Sequence, residues 1–523
     1  MDFLIGIEPR EYQTEIFKKC VEKNCLVVLS TGMGKTLIAL MVAIERMKRF
    51  PGQKVVFLAP TRPLAEQHLK YFEKHLPELF ADMQIFTGKI HAPERKKIWK
   101  TADIIFSTPQ CIANDIEKSL YNLEEVCLLI EDEAHRCMKN YDYNIVAKRY
   151  MEQSSEPRIL GLTASPGSEK SRIKEICRNL FIEEVELRGR ESEDVKPYMQ
   201  SVEFRKEMVD FPKEFEEIRV SLSGLFNSYV NELKERKVLF AMPSKSVLIG
   251  LQKKIMASIA GGNRNFNYLL ASSACAQAIK VQHALELLET QTLKSFSKYL
   301  KKLLDDAEQN KSRGVKKLVS KPEFTMAFIR SKNLLEKGIE HPKLHSLSML
   351  VKEEIGMNSK AKIMVFTQFR DTASIVSEEL NKIPGVMSEI FVGQTKKIGA
   401  GEEGGTTGLN QKEQGKVISR FSSGELNVIC STSIGEEGLD IPEVSTVIFY
   451  EPIPSAIRAI QRAGRTARLA KGKIIVLITK KTRDEAFFYV SKAREKSMHE
   501  AIDSIKRDFS LGKKEKEFQE KLT

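Results

Sequence analysis

The sequence predicts an α/β protein with two parallel sheets and a helical subdomain inserted between them. Three observations carry this. Short apolar runs alternate with amphipathic helical stretches over residues 1 to about 200, the pattern of strands covered by helices on both faces. The alternation breaks from about 205 to 340, where long helical patterns take over, and it returns from about 343 to 480. At about 150 residues per domain, 523 residues suffice for roughly three. The expected units are a first α/β domain at 1–204, the helical insert at 205–342, a second α/β domain at 343–490 and a charged helix or linker at 491–523.

Composition narrows the class. A hydrophobic content of 42% with 29% charged residues describes a soluble globular chain. No apolar run approaches the ~18 residues of a membrane span. The N-terminus lacks the basic region of a signal peptide, so a cytoplasmic protein without a membrane partner is expected. The eight cysteines form no Cys-x-x-Cys pair, which argues against zinc or iron–sulfur binding and for buried, reduced thiols. A net charge of +13 points to an acidic partner, nucleic acid foremost, with a solubilising charge excess as the alternative.

The first domain opens with Pro9-Arg-Glu-Tyr-Gln13, where the Gln13 amide can pair with adenine. An apolar run at 26–29 then enters Leu29-Ser-Thr-Gly-Met-Gly-Lys-Thr36, and a helical pattern leaves it. A strand, a glycine loop ending in Gly-Lys-Thr and a helix make a phosphate-binding loop. Gly32 and Gly34 permit positive φ, and the amides of Ser30, Thr31, Gly32, Met33 and Gly34 face the anion. Lys35 reaches the β and γ phosphates and the Thr36 hydroxyl holds Mg²⁺, so the expected ligands are ATP and Mg²⁺. Leu29 stands where the general pattern has glycine. Further strands are expected at 55–58, 104–107, 126–130 and 159–162, with helices at 64–75 and 92–100. The strand at 126–130 ends in Glu131, Asp132, Glu133, Ala134 and His135: Asp132 is placed for Mg²⁺, and Glu133 for the attacking water. Strand alternation points Glu131 away from Asp132. The hydroxyls of Thr163-Ala-Ser165 can bond to that acidic loop.

In the insert, helical patterns run over 215–236 and 272–304. Between 290 and 321 nine lysines and arginines, among them Lys311, Arg313, Lys316 and Lys317, face only Asp305, Asp306 and Glu308. This reads as a phosphate-gripping surface or, alternatively, a solvated basic loop. His283 sits within an apolar helical stretch and is expected to pack there. In the second α/β domain, strands are expected at 363–366, 428–430, 446–450 and 474–478, with helices at 372–381 and 411–421. Its glycine-rich 399–408 lacks Gly-Lys-Thr and reads as a flexible loop. Arg465 and Arg468, three apart, share one helical face and can act on a transferring phosphoryl group, a contribution of ~10³–10⁵ in rate.

Taken in order, these residues resemble the motifs of superfamily 2 helicases. Gln13 is similar to the Q motif, Ser30–Thr36 to motif I, Pro60-Thr-Arg-Pro-Leu64 to motif Ia and Thr108-Pro-Gln110 to motif Ic. Asp132, Glu133, Ala134 and His135 together resemble the DEAH form of motif II, and Thr163-Ala-Ser165 resembles motif III. Val365–Arg370, Thr432–Asp440 and Gln461–Arg468 resemble motifs IV, V and VI, with Ala467 in place of a usual glycine. Within the superfamily the resemblance is to the archaeal Hef and FANCM family, carried by 162–167, 393–394, 433–442, 449–461 and 483–486. It implies two RecA-like domains with ATP and Mg²⁺ in the cleft between them. Gly438 and Asp440 would join the ATP site, and Thr61, Arg62, Thr108 and Thr432 would touch the DNA backbone. It further implies helicase action on forked or branched DNA such as stalled forks and Holliday junctions, with a sliding clamp or other repair proteins as partners. RIG-I-like RNA-dependent ATPases share the layout, and a non-catalytic branch-binding scaffold is the other alternative. Relatives that continue into a nuclease carry Glu-Arg-Lys-x-x-x-Asp, which this sequence lacks; a fragment or a nuclease-free member is expected.

Overall fold

The computed structural model describes residues 3–520 except 139–140, 190–191, 199–201, 263–264, 394–407, 433–441 and 454–471. Two parallel sheets organise it. The first contains β1 (Cys25–Leu29), β2 (Lys54–Leu58), β3 (Met83–Phe86), β4 (Ile104–Ser107), β5 (Val126–Glu131), β6 (Ile159–Thr163) and β7 (Glu184–Arg188). Their spatial order is β3-β4-β2-β5-β6-β1-β7. The second contains β8 (Val202–Val209), β9 (Ile363–Phe366), β10 (Ser388–Phe391), β11 (Val428–Ser431), β12 (Thr446–Phe449) and β13 (Gly472–Thr479), in the order β10-β11-β9-β12-β13-β8. Every described strand pairing is parallel.

Helices cover both faces of each sheet, so the central strands are buried at every position and read as unbroken apolar runs. In the first sheet Val28, Val56 and Ile105 pack into one core, while Val27, Phe57 and Phe106 pack into the other. The second sheet repeats this with Val365 and Ile448 on one side and Phe366 and Phe449 on the other.

The expected boundary at 204/205 falls inside β8. That strand pairs with β13 over its whole length, Phe204 opposite Ile474, and so belongs to the second sheet. Its charged run Glu203, Arg205, Lys206 and Glu207 conceals it from a search for apolar strands. The chain therefore enters the second sheet before it leaves for the insert. Among the described residues six helices form the insert: Lys213–Glu235, Lys245–Ala260, Phe266–Thr290, Leu293–Glu308, Arg313–Val319 and Pro322–Glu336. The helical pattern at 272–304 is divided at Gln291–Thr292. There the Thr292 hydroxyl accepts the Ser295 amide at 3.1 Å, and the Glu340 carboxylate accepts the amides of Leu293 and Lys294. A buried joint fixes the insert to the second sheet: Lys343 pairs with Asp484 and donates to the Thr290 carbonyl at 3.0 Å.

The last helix, Arg483–Glu520, begins earlier than the expected 491 and returns to the first domain. Its Met498, Ile502 and Ile505 enter the core with Ile173 and Ile176, and Asp508 pairs with Lys170 and Lys174 at 3.2 and 2.8 Å. All eight cysteines are buried and none is in a disulfide. Among the described residues no helix is long and apolar enough to cross a membrane.

Candidate active site

β1 delivers the chain to the glycine loop, and helix Lys35–Arg49 carries it away. Leu29 points into the core at 0% exposure, so a side chain at this first loop position serves packing. Gly32 and Gly34 have φ of +86° and +79°. At Gly34 space matters as well, because a Cβ there would lie 2.1 Å from Gln13 Nε2. The loop is held from below: the Met33 carbonyl accepts the Tyr12 hydroxyl at 2.8 Å and Gln13 Nε2 at 3.1 Å, and Gln13 Oε1 accepts the Arg10 amide at 2.9 Å. Each polar atom of the Gln13 amide keeps capacity for one more bond, the donor and acceptor pair that an adenine edge requires. Lys35 Nζ donates to the Leu29 carbonyl at 2.8 Å. Ser30, Thr31 and Thr36 are partly exposed around it.

β5 sets the acidic loop beside this one. Glu131 is fully buried on the opposite side, where it accepts the Cys137 thiol at 3.2 Å and burial pushes its carboxyl up to about 8. Asp132 is pinned at three points. Its amide donates to the Leu58 carbonyl at 2.9 Å, its carbonyl accepts the Tyr143 hydroxyl at 2.7 Å, and Oδ2 lies 2.8 Å from His68 Nε2. Burial raises the Asp132 carboxyl, but the His68 hydrogen bond and charge, with the Lys35 ammonium, outweigh it and hold the group below its ordinary value. A buried, ionised carboxylate is a hard oxygen donor of the kind Mg²⁺ takes. Glu133 adopts φ +51°, uncommon for a residue with a side chain, and its Oε2 lies 3.2 Å from His135 Nδ1. Ala134 is the motif residue without a polar side chain. It opens the short turn Ala134–Arg136, and its methyl is fully buried in the core with Leu26, Ile159 and Leu180. A Cβ added at Gly161 of β6 would come within 3.3 Å of it. An apolar methyl packed that closely has no polar atom to offer a nucleotide; it sets the turn that carries Glu133 and His135. His135 Nδ1 is also 3.2 Å from Thr163 Oγ1, which accepts the Ser165 amide at 3.2 Å. The acidic loop and Thr163-Ala-Ser165 are thus joined through His135. Ser165 continues the chain of contacts to Met498 Sδ at 2.8 Å, on the last helix.

A second set of strand ends lies on the other half of the sheet. Thr61 and Thr108 follow β2 and β4 and precede helices Arg62–His75 and Pro109–Glu117. Ser107 Oγ donates to the carbonyls of Phe86 and Thr108 at 3.2 and 3.1 Å. The second sheet repeats this arrangement: Ser431 Oγ donates to the carbonyls of Phe391 and Thr432 at 3.1 and 2.9 Å. The neighbouring strand matches too, since Ala59 N donates to Ser107 O and Thr367 N to Ser431 O, both at 2.9 Å. Thr108 and Thr432 are therefore structural equivalents, although Thr432 is buried and Thr61 is exposed. Arg62 is engaged by Glu66 at 2.6 Å.

In the insert, Arg313, Lys316 and Lys317 stand exposed on or beside a short helix, and Lys311 is exposed while bonded to Asp306 at 2.9 Å. Two members of the wider basic run, though exposed, are engaged by carboxylates. Lys294 and Lys298 pair with Glu378 and Asp371 of the second α/β domain at 3.6 and 2.7 Å. His283 packs against Tyr299 and Phe369. Gly438, Asp440, Arg465, Arg468 and nearly all of the 399–408 loop lie outside the described residues.

Sequence reasoning overlooked three features. His68 lies within an apolar helical pattern that disguises it as a core residue. Tyr12, adjacent to Gln13, looks like ordinary packing until its hydroxyl meets the loop. Thr87-Gly-Lys89 follows edge strand β3 next to Thr108, with Gly88 and Lys89 exposed; a Thr-Gly-Lys after an apolar strand was its signal.

Comparison with known proteins gives matches over most of the chain. The family described as DEAD/DEAH box helicase matches residues 10–173, and the helicase conserved C-terminal domain matches 342–470. A helical bundle provisionally described as that of an ATP-dependent RNA helicase matches 214–336. The crystal structure of the Pyrococcus furiosus Hef helicase domain is similar with a TM-score of 0.69 and 39% identity, over 92% of this chain and 98% of that one. A Methanocaldococcus jannaschii protein, provisionally named an ATP-dependent RNA helicase, is 38% identical over 95% of this chain and 61% of its own length. The ATP-dependent DNA helicase mph1 of Sclerotinia sclerotiorum is 32% identical over 92% of this chain and 40% of its own length. For the Fanconi anemia group M protein homolog of Mus musculus the figures are 30%, 96% and 26%. The chain thus spans only part of each of these three relatives.

Proposed function

The chain belongs to the DEAD/DEAH box helicases, a family of ATP-hydrolysing enzymes, in the group of the Hef helicase domain, and from this premise we propose that it is an ATP-dependent DNA translocase and helicase acting on forked or branched DNA during replication-fork repair. One observation carries the reading. A single phosphate loop and acidic loop occupy the first sheet, while the serine–threonine strand end occurs in both sheets, at Ser107–Thr108 and Ser431–Thr432. Two equivalent grips served by one nucleotide site suit a motor whose sheets close on ATP and reopen after hydrolysis. In this reading Gln13 reads the base, the loop from Ser30 to Thr36 cradles the phosphates, and Glu133 orients the attacking water. Thr36 and Asp132 would hold Mg²⁺, which neutralises phosphate charge when bound. Arg465 and Arg468 would act on the phosphoryl group from the second domain, with Gly438 and Asp440 beside the nucleotide. Thr61, Arg62, Thr108, Thr432 and the newly placed Gly88–Lys89 would follow the DNA backbone, and the basic face of the insert would hold the branch. A DNA substrate fits a cytoplasmic, nucleoid-associated place, or the nucleus in a eukaryote, and repair partners such as a sliding clamp.

RNA is the second reading, favoured by the provisional names of the Methanocaldococcus relative and of the helical bundle. The test is ATP hydrolysis with single-stranded DNA, linear duplex, fork, four-way junction and RNA duplex. Stimulation by forks and junctions above the linear substrates supports the proposal; stimulation by RNA alone replaces it. Lys35→Ala and Glu133→Gln should both abolish hydrolysis, with only Glu133→Gln still retaining ATP. Normal turnover by either variant would overturn the site assignment.

A further inference from the structure

We infer that His68 is a positioning residue: it holds the Asp132 carboxylate in its metal-binding orientation and links that orientation to the nucleic-acid track. The linkage rests on the function proposed above. His68 lies on the buried face of helix Arg62–His75, with Leu64, Ala65 and Phe72 at helical spacing. A histidine there would ordinarily be read as core. Its surroundings say otherwise. The ring packs on Phe57 of β2, with centroids 4.4 Å apart, and Nε2 lies 2.8 Å from Asp132 Oδ2. The Asp132 backbone is already fixed by Leu58 and Tyr143. The His68 contact, together with a hydrogen bond from the Glu133 backbone, restrains the remaining freedom, rotation of the carboxylate itself, and His68 takes only one of its two oxygens.

The same helix begins where the track would run. Thr61 is its N-cap and Arg62 its first residue. Six residues at about 1.5 Å rise put His68 only about 9 Å along the axis from Arg62. A packed helix moves as a unit, so a phosphate contact that shifts its N-terminus also shifts the imidazole against Asp132. The contact therefore joins two sites through one rigid element.

The test uses the full chain with His68→Ala and His68→Gln. Glutamine can offer an amide donor from nearly the same place as Nε2. One readout is the Mg²⁺ concentration that half-saturates binding of a fluorescent, non-hydrolysable ATP analogue without DNA. The other is the ratio of single-stranded DNA Kd values without and with that Mg²⁺ analogue. His68→Ala should raise the Mg²⁺ midpoint by about tenfold or more, the usual effect of removing a partner of a metal ligand. It should also bring the DNA ratio towards one, leaving DNA affinity without nucleotide unchanged. His68→Gln should restore both readouts. An unchanged midpoint in His68→Ala overturns the inference. Equal loss in both variants also overturns it, because ring packing on Phe57 would then matter and the hydrogen bond would not. If wild-type DNA affinity ignores the nucleotide, the proposed function and the linkage fail together, while the Mg²⁺ midpoint still decides the positioning role.

Discussion

Replacing Gly34 by alanine tests the most tightly built point of the site. The backbone there has φ +79° and ψ +34°, a left-handed conformation that costs a residue with a Cβ about 1–2 kcal/mol. The new methyl would sit 2.1 Å from Gln13 Nε2, so the glutamine must move and surrender its bond to the Met33 carbonyl. A hydrogen bond of that kind contributes about 1 kcal/mol. Restricting the unfolded chain returns about 0.4–1 kcal/mol. The expected net loss is about 2 kcal/mol, or about 4–8 °C in Tm for a domain of this size. The chain's single tryptophan provides the assay. Trp99 is buried in the first domain and stacked 3.9 Å from Tyr121, so its fluorescence follows that domain. In a Gln13→Ala background the clash disappears, and Gly34→Ala should cost about 1 kcal/mol less. A loss below about 0.5 kcal/mol, or the same loss in both backgrounds, would refute the argument from close approach.

Three further outcomes are expected. Arg465→Ala and Arg468→Ala should lower kcat far more than ATP affinity, measured by calorimetry beside steady-state kinetics; a pure KM effect would contradict their action on the transition state. Neutralising Lys311, Arg313, Lys316 and Lys317 should weaken fork and junction binding and reduce the salt slope of duplex binding by about 0.9 for each phosphate no longer neutralised, with ATPase on saturating single strands intact. No change in slope would make these residues a solvated basic loop. His341 is fully buried in the joint between insert and second sheet, where burial and the nearby Lys343 push its pKa down to about 3. Because the unfolded imidazole titrates near 6.5, the unfolded state binds the extra proton first, so stability is full above that pH and falls as pH drops towards 3. Between about pH 6.5 and 5 the loss should approach about 2 kcal/mol in denaturant titrations. His341→Asn, which keeps a cap acceptor, should remove this pH dependence; an unchanged dependence would show that another group causes it.

The central strands, the phosphate loop and the acidic loop were legible in the order of amino acids alone. These are local statements: apolar runs long enough to be covered on both faces, glycines at fixed offsets, carboxylates at a strand tip. The strands absent from the sequence reading, β3, β7, β8 and β10, are the four sheet edges. Edge strands turn one side to solvent, and two of these, Glu184–Arg188 and Val202–Val209, carry charge there, so no apolar run marks them; Met83–Phe86 and Ser388–Phe391 are only four residues long. The motif around Asp132 likewise hid which of its members face the site, since the burial of Ala134 depends on β6 and its neighbours packing over the turn. The division of 272–304 was equally hidden, because Glu340, which accepts the amides of Leu293 and Lys294, is remote in sequence. Long-range packing brought His68 to Asp132, Gln13 and Tyr12 to Met33, and Met498 to Ser165. It also placed Ser107–Thr108 and Ser431–Thr432 at equivalent strand ends. Such contacts join residues that the chain separates by tens to hundreds of positions. Their partners are selected by the packing of whole strands and helices, which spacing along the sequence does not encode.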